Sequence, residues 1–518
     1  MAFWRGLRQP ARWAAMVCGA IPVLAFPAAN LEWLGWVGLV PGFVLMHRAP
    51  TRREAGIRGW WFGAGYLLAA MYWLAPNIGP ALLLVAVAFG FLLSAVGLAV
   101  WSLLRPPVTA RRALAAMVVV PSCWLVTEWI RSWRGIGGPW AVLGASQWQH
   151  PAALALAAVG GVWLITFALV GANTGLLVAL VARAPLTRLV GVAGALVAIG
   201  AGPVAFALTA PAPTARTLTV ALIQPGGTSG PAPRLKRNEQ LTARAAGRAE
   251  LFVWGESSVG YNLAARPAYL ASIERLSAKV GAEILVDQDA ENAAGQQSKQ
   301  AALISPAGVQ GRYVKTRLVP FGEYIPFRSV LGWLTKISRA APTNILPGTG
   351  AHVLRATLPD GRPLTFGVLI CFESAFPDMS RVDTDHGAQV IIYQTSDSTF
   401  QDSWAPAQHA ALGAIRAAET GRPVVQAALT GDSAAFDTRG RLLAWAGTSF
   451  RGTVLVRLQL PPASARTVYD QLGDYVPWTA VGVAALAALA GLSRAAIARR
   501  RSGRAAAERA AELIPDHR

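Results

Sequence analysis

Cys371 closes the apolar run Phe366-Gly367-Val368-Leu369-Ile370 and is followed at once by Phe372-Glu373-Ser374-Ala375-Phe376-Pro377-Asp378. The pattern reads as a buried strand ending in a turn, with a thiol at its tip. A thiol held there is rigid, the amides of the turn face a developing oxyanion, and Glu373 lies on the same side two positions on. Such a position suits a nucleophile, although an isolated cysteine in an apolar run is more often a core residue. Two upstream stretches weigh against the core reading. Leu251-Phe252-Val253-Trp254-Gly255 ends in Glu256, and Gly311-Arg312-Tyr313-Val314 leads into Lys315, so each also delivers one ionisable group at a strand end. A carboxylate, an ammonium and a thiol presented alike form a general base, an oxyanion donor and a nucleophile. A thiol with an ordinary pKa of about 8.5 needs a base at neutral pH, and of the three Glu256 is the group able to serve. Lys315, being protonated, is placed to donate to the tetrahedral oxyanion.

The elements that must position these groups belong to a membrane protein. Of 518 residues, 53% are hydrophobic and 14% charged, far too apolar for an ordinary soluble chain. The formal net charge of +20 does not point to nucleic acid, because the arginines fall between hydrophobic segments and in the C-terminal tail rather than on one amphipathic face. Cys18, Cys123 and Cys371 make no disulfide framework, and the first two sit inside apolar spans. Six scattered histidines show no metal-ligand spacing, and there is no Gly-rich phosphate loop or Gly-x-Ser-x-Gly elbow, so neither a metal nor a cofactor is expected.

Up to residue 210 seven apolar segments follow one another, at 11–27, 31–46, 59–75, 80–104, 113–130, 153–182 and 189–208. Their lengths suit about 30 Å of hydrocarbon. Arg5, Arg8 and Arg12 precede the first, Arg48, Arg52, Arg53 and Arg58 lie between the second and third, Arg105, Arg111 and Arg112 follow the fourth, and Arg183 and Arg188 follow the sixth. The alternate loops carry only Arg131 and Arg134. The positive-inside rule then puts the N-terminus in the cytoplasm and everything after residue 208 outside. The first segment is read as a retained span rather than a cleaved signal, since no small-residue cleavage site follows it. An eighth span at 476–493 returns the chain to a basic cytoplasmic tail at 494–518. Between the fifth and sixth spans, Glu128 ends an apolar stretch where an unpaired charge is costly, with Arg131 one helical turn away. The two are read as a structural pair at the mouth of a lipid-accessible cleft, a part in substrate binding being the alternative.

From 217 to 460 short β-rich runs alternate with helical stretches, at 218–224, 251–254, 284–287, 301–305, 365–370, 390–394 and 424–427, which predicts an α/β domain. The polar stretches 231–237 and 290–300 read as surface loops. Segment 327–344 is unusually apolar for a connection, with Val330, Leu331, Trp333, Leu334 and Ile337. It is either a core-packing helix or a mobile lid that dips into the bilayer to admit lipid, and on the second reading Leu331 and Trp333 meet substrate. Arg416 and Glu419 stand i, i+3 on a helix closed by Gly421, which reads as architecture.

The order Glu, Lys, Cys, carried by Trp254-Gly255-Glu256, by Lys315-x-x-Leu318-Val319-Pro320-Phe321-Gly322-Glu323 and by Ile370-Cys371-Phe372-Glu373, resembles the nitrilase (carbon-nitrogen hydrolase) superfamily, and specifically its membrane branch, the apolipoprotein N-acyltransferases. Glu128-Trp129-x-Arg131 followed by Pro139-Trp140, Pro406-x-Gln408-His409, and Arg416-x-x-Glu419-x-Gly421-Arg422-Pro423 extend the resemblance over nearly the whole chain. It implies a four-layer αββα sandwich for 217–460, Glu323 in support of the lysine, and Glu373 in a like role or lining the pocket. It further implies a ping-pong cycle in a bacterial cytoplasmic membrane. Cys371 takes an acyl chain from a phospholipid, and the N-terminal amine of a diacylglyceryl-modified apolipoprotein takes it from the thioester, with no cofactor and with the enzyme a monomer. One tract departs: Ser396-Asp397-Ser398-Thr399-Phe400 stands where the family has Asn-Asp-Ala-Trp-Phe, which bears on substrate choice. The rival expectations are a membrane-bound amidase acting on a small amide and a non-catalytic partner of lipid-modifying enzymes.

Overall fold

The computed structural model describes residues 9–512 apart from 136, 211, 229, 337–340 and 342. Among them, five helices are long and apolar enough to cross a membrane: Ala81–Leu104, Ala110–Arg131, Pro151–Val181, Pro185–Leu208 and Tyr475–Ser493. Two shorter apolar helical stretches, Pro10–Ala25 and Leu34–His47, fall on the first two expected segments. The third segment starts earlier than its hydropathy suggests, at Arg52–Ala70, because its charges are taken up inside the bundle. Thr51 caps this helix by accepting from the Glu54 amide, and the buried Glu54 carboxylate lies 2.6 Å from Arg12 and 3.3 Å from Arg58. Arginines that the sequence offers as topology signals therefore also pin two helices together, which offsets the cost of burying them.

Pro151–Val181, expected as one span, breaks at Gly160 and Gly161, the latter at φ 69°, ψ −176°. Only glycine adopts that conformation without strain, and a Cβ there would lie 2.6 Å from the Tyr469 ring. The break frees the Val162 amide, which donates to the buried Glu419 carboxylate at 2.7 Å, and Arg416 lies 2.7 Å from the same carboxylate. From residue 162 to 181 there remains about 30 Å of helix, one bilayer's hydrocarbon thickness. The turns before the break pack on the second domain instead.

That domain is built on twelve strands: β1 Arg216–Gln224, β2 Leu251–Trp254, β3 Glu283–Glu291, β4 Gln297–Ser305, β5 Gly308–Val314, β6 Val353–Thr357, β7 Pro363–Ile370, β8 Val390–Thr395, β9 Val424–Ala428, β10 Ser433–Phe436, β11 Leu442–Ala446 and β12 Gly452–Leu460. They form two six-stranded sheets, ordered β12-β1-β2-β3-β4-β5 and β11-β10-β9-β8-β7-β6. Successive residues of β1 serve opposite faces, as period-2 alternation requires. Val220 and Leu222 join the core between the sheets, while Ala221 and Ile223 pack with Leu235, Leu241 and Ile273 of the outer helices Pro231–Arg244 and Pro267–Val280. Polar bonds also cross between the sheets. The Gln394 side chain donates to the Trp254 carbonyl at 2.8 Å, and the Glu256 amide donates to the Thr395 carbonyl at 3.2 Å. Helices Pro377–Asp385 and Ala405–Thr420 cover the second sheet, giving the αββα layering. Ala405–Thr420 is buried at every residue but Ala407 because its outer side meets the membrane helices.

Two expectations fail here. Residues 231–237 are not a loop but the first turns of Pro231–Arg244, where proline is tolerated because those amides lack helical partners anyway. Residues 290–300 are mostly the β3–β4 hairpin, with Asp289 opposite Lys299 and Ala290 opposite Ser298. The pairing extends beyond the apolar core, so hydrophobicity does not mark it.

Candidate active site

Glu256, Lys315 and Cys371 follow β2, β5 and β7, and the sheet packing brings the three together. Lys315 is fully buried, with Nζ 3.1 Å from Glu256 Oε1 and 2.6 Å from Glu323 Oε1. The Cys371 thiol lies close enough to the Glu256 carboxylate for each to shift the other's protonation, and it is the partly exposed member of the set. Burial pushes Glu256 up, but Lys315 and then Lys299 outweigh it and hold the carboxyl below its usual range. Burial pulls Lys315 down, yet Glu256, Glu323 and Cys371 raise it well above an ordinary lysine. Burial and then Glu256 push the thiol well up against the pull of Lys315. These shifts favour a thiol beside a carboxylate at rest, an arrangement in which attack by sulfur would have to be coupled to proton transfer to Glu256.

Cys371 sits at φ +53°, in a left-handed conformation that costs a non-glycine residue about 1–3 kcal/mol unless its surroundings hold it. A 3₁₀ turn, Cys371–Ala375, starts at this residue, so the first amides of the turn have no partner within it. Glu373 does not face the thiol as expected. Its buried carboxylate accepts from the Tyr313 hydroxyl at 2.8 Å and from the amides of Thr316, Arg317 and Ile370 at 2.7, 2.9 and 2.8 Å. Those four donors strap the chain after Lys315 to the strand end before Cys371. Glu323 closes its own turn by accepting from the Val319 amide at 2.8 Å while it holds Lys315.

Glu128 and Arg131 are not the joined pair at a cleft mouth that the sequence suggests. Glu128 is 1% exposed and accepts from Trp124, Leu143 and Thr166 at 2.9, 2.8 and 3.0 Å. Arg131 instead donates to the carbonyls of Trp140 and Ala141 at 3.0 and 3.3 Å. Both brace the 139–144 loop, because a buried carboxylate needs donors and a buried guanidinium needs acceptors, and this loop supplies both. Trp333 is 55% exposed, with Phe327 at 80% and Val330 at 70%, so the core-packing reading of this segment does not hold for them. Ile337 and the side chains of Leu331 and Leu334 lie outside the described residues.

Residues 18–175 match the family described as the apolipoprotein N-acyltransferase N-terminal domain, and residues 219–466 match the carbon-nitrogen hydrolase family. The apolipoprotein N-acyltransferase of Sinorhizobium fredii is 32% identical to this chain over 491 residues, covering 83% of this chain and 85% of that protein. The chain belongs to the apolipoprotein N-acyltransferase family. The Allorhizobium ampelinum protein of the same description is 31% identical, over 75% of this chain and 77% of its own length. That of Geobacter metallireducens is 28% identical, over 92% and 94%. Among solved structures, an amidase from Nesterenkonia sp. is 19% identical with a TM-score of 0.34, over 48% of this chain and 93% of that one. The membership is of an acyltransferase family from bacterial membranes, and its two regions divide the chain as the helical and two-sheet parts do.

In this N-acyltransferase the tract 396–400, where the sequence departs from the family pattern, lies beside the site. Phe400 packs edge-on against Trp73 at 5.0 Å, Trp73 against Trp140 at 5.1 Å, and Trp140 is 5.7 Å from the His409 ring. Polar atoms of Cys371, Asp397 and His409 lie within 4.8 Å of one another, a grouping that histidine spacing does not reveal. Lys299, whose ammonium binds Ser257 and Asp289 next to Glu256, was hidden in the supposed loop. For Asp397 and His409 the available signals were the departing tract and the Pro-x-Gln-His motif.

Proposed function

We propose that this protein transfers a fatty acyl chain from a membrane phospholipid, through a thioester on Cys371, to the N-terminal amine of a diacylglyceryl-cysteine lipoprotein. The observation that carries the reading is the buried carboxylate–ammonium–thiol set of Glu256, Lys315 and Cys371, in a chain that belongs to this family along both its domains. Sulfur attacks the ester carbonyl while its proton passes to Glu256, and Lys315 faces the oxyanion. The ester C–O bond breaks, Glu256 returns the proton to the lysophospholipid oxygen, and the neutral lipoprotein amine then attacks the thioester; the C–S bond breaks, and the amine's proton passes through Glu256 to the departing sulfur, leaving the amide and the free thiol. Glu323 orients Lys315, and Glu373 holds the two loops in register. No cofactor enters this cycle, and we take the enzyme to act as a monomer.

The arginine distribution supports both termini in the cytoplasm and the 217–460 domain on the outer face, between a seven-span unit at 1–210 and the last span. Donor and acceptor then reach the site laterally, within one leaflet. A cleft of about 490 Å³ at the membrane helix end, lined by Trp129, Trp133, Arg134, Arg317 and Phe376, suits such an approach. The exposed Phe327, Val330 and Trp333 form an apolar tip whose root is tied beside the site. Asn344 accepts from the Ile325 amide at 3.2 Å and from Arg328 at 2.8 Å, and the Ile345 amide donates to the Glu323 carbonyl at 2.9 Å.

Two outcomes follow. Acyl-loaded enzyme given a diacylglyceryl-cysteine peptide with a free N-terminus yields the amide, and the same peptide with a blocked N-terminus takes no acyl chain; mass spectrometry of the peptide reads both. Ammonia released from a small amide without lipid would select the amidase reading. Trp333→Asp slows acyl transfer from vesicle lipid roughly tenfold or more, since the tip loses the gain of burying an indole in hydrocarbon, with the thermal unfolding midpoint unchanged. An equal loss with dispersed short-chain lipid would refute membrane entry as the role of this residue.

A further inference from the structure

His409 lies directly behind the nucleophile, 3% exposed, and meets an acceptor from each ring nitrogen. Nδ1 is 3.0 Å from Asp397 Oδ1 and 3.3 Å from the Thr395 hydroxyl. Nε2 is 3.1 Å from the Cys371 carbonyl oxygen and 2.9 Å from the Ser374 hydroxyl. A carboxylate and a carbonyl only accept, so the ring satisfies both by donating from both nitrogens. The second oxygen of Asp397 has no hydrogen-bond partner among the described residues.

We propose that the buried Asp397–His409 pair is a positioning device for the nucleophile, an imidazole donating from both sides that grips the Cys371 carbonyl and holds the left-handed backbone aiming the thiol at Glu256. The inference rests on the reading of Cys371 as nucleophile. It completes a clamp, since Glu373 holds the Ile370 amide on one side of Cys371 and His409 holds the Cys371 carbonyl on the other. The cationic ring close to the thiol also favours the sulfur charge that develops in attack.

The charged and titratable groups around the ring are Asp397 from the β8 loop, the Cys371 thiol from the β7 turn, Glu256 from the β2 loop, and Asp432 behind Asp397. From the membrane side it meets Trp140, which does not titrate. Burial pulls His409 down, but Asp397 outweighs it, and the Cys371 carbonyl and Glu256 add to the rise. The doubly donating state therefore persists above the usual histidine range and is lost as pH rises through the raised pKa.

The test compares full-length wild-type protein with His409→Gln and Asp397→Asn. Two rates are followed across pH: acylation of Cys371 from phospholipid vesicles without acceptor, and alkylation of Cys371 by iodoacetamide, both read by peptide mass. Glutamine keeps one donor and cannot titrate. His409→Gln is expected to be about 10- to 100-fold slower at low pH, with the wild-type to variant ratio shrinking as pH rises and the wild-type ring loses its proton. Asp397→Asn is closest to wild type at low pH and falls behind as pH rises through the lowered pKa of its imidazole, a gap that closes once the wild-type ring has also lost its proton. A wild-type rate in His409→Gln, or a ratio independent of pH, overturns the proposal. If no lipid acylates Cys371 in any protein, the acyl-transfer reading fails, and the alkylation ratio still decides the clamp. Should His409→Gln not fold, Asp397→Asn carries the comparison.

Discussion

Purified protein supplied with phospholipid vesicles and no acceptor accumulates one acyl chain on Cys371, and Cys371→Ala accumulates none. On the proposed cycle the donor half-reaction needs only the thiol, its base and the oxyanion donor, all held within the chain, so it is expected to run to the thioester and stop. Neutral hydroxylamine discharges the added mass, as it does a thioester and far less readily an oxygen ester. Glu256→Gln keeps the size and a polar head but cannot take the proton. Because burial and Glu256 hold the thiol protonated at rest, little thiolate is present to react without the base, and acylation is expected to fall by about a hundredfold or more. Acyl mass on another residue, or its undiminished appearance in Cys371→Ala, would refute the nucleophile assignment.

Lys315→Met slows the same half-reaction by roughly a hundred- to a thousandfold, the scale for loss of one oxyanion donor. The substitution has a second, separable consequence. Glu256 and Glu323 both bind this ammonium, so its removal leaves two carboxylates facing a buried space without their common partner. Lys315 is the foremost influence holding Glu256 down against burial, and without it the Glu256 pKa rises. A base acts only above its own pKa, so the residual activity of Lys315→Met should disappear at a higher pH than that of the wild type as pH falls. A pH–rate profile of single-turnover acylation, with thermal unfolding in parallel, separates this from simple destabilisation. An unshifted acid limb would show that Lys315 does not set the state of Glu256.

The grouping of Glu256, Lys315 and Cys371 was legible because each combines two short-range signals, an apolar run of strand length and an ionisable residue at its end. The five long apolar helices were legible for a similar reason, since a contiguous apolar run of that length marks itself in the sequence. Where the signal was not local, the reading failed. Residues 290–300 pair as a hairpin through backbone bonds that leave no trace in polarity, and they conceal Lys299. The break at Gly160 and Gly161 is two glycines in a glycine-rich span until Tyr469 and Glu419 arrive from another domain.

What the sequence determined by itself is the inventory: a thiol, a lysine and several glutamates at strand ends, in a chain apolar enough to lie in a membrane. Which glutamate does what was decided only by the tertiary structure. Glu256, Glu323 and Glu373 are chemically the same side chain, and all three lie close to Lys315 or Cys371. Glu373 is taken up by one hydroxyl and three amides, Glu323 closes a turn while it binds the lysine, and Glu256, bound to the same ammonium, is the carboxylate that acts most strongly on the thiol. His409 and Asp397 likewise become partners of Cys371 only when β7, β8 and the helix Ala405–Thr420 are stacked. Residue type sets what a group can do. Its state and its partner depend on burial and on charges that come from remote parts of the chain, and those exist only once the two sheets and the membrane helices have packed.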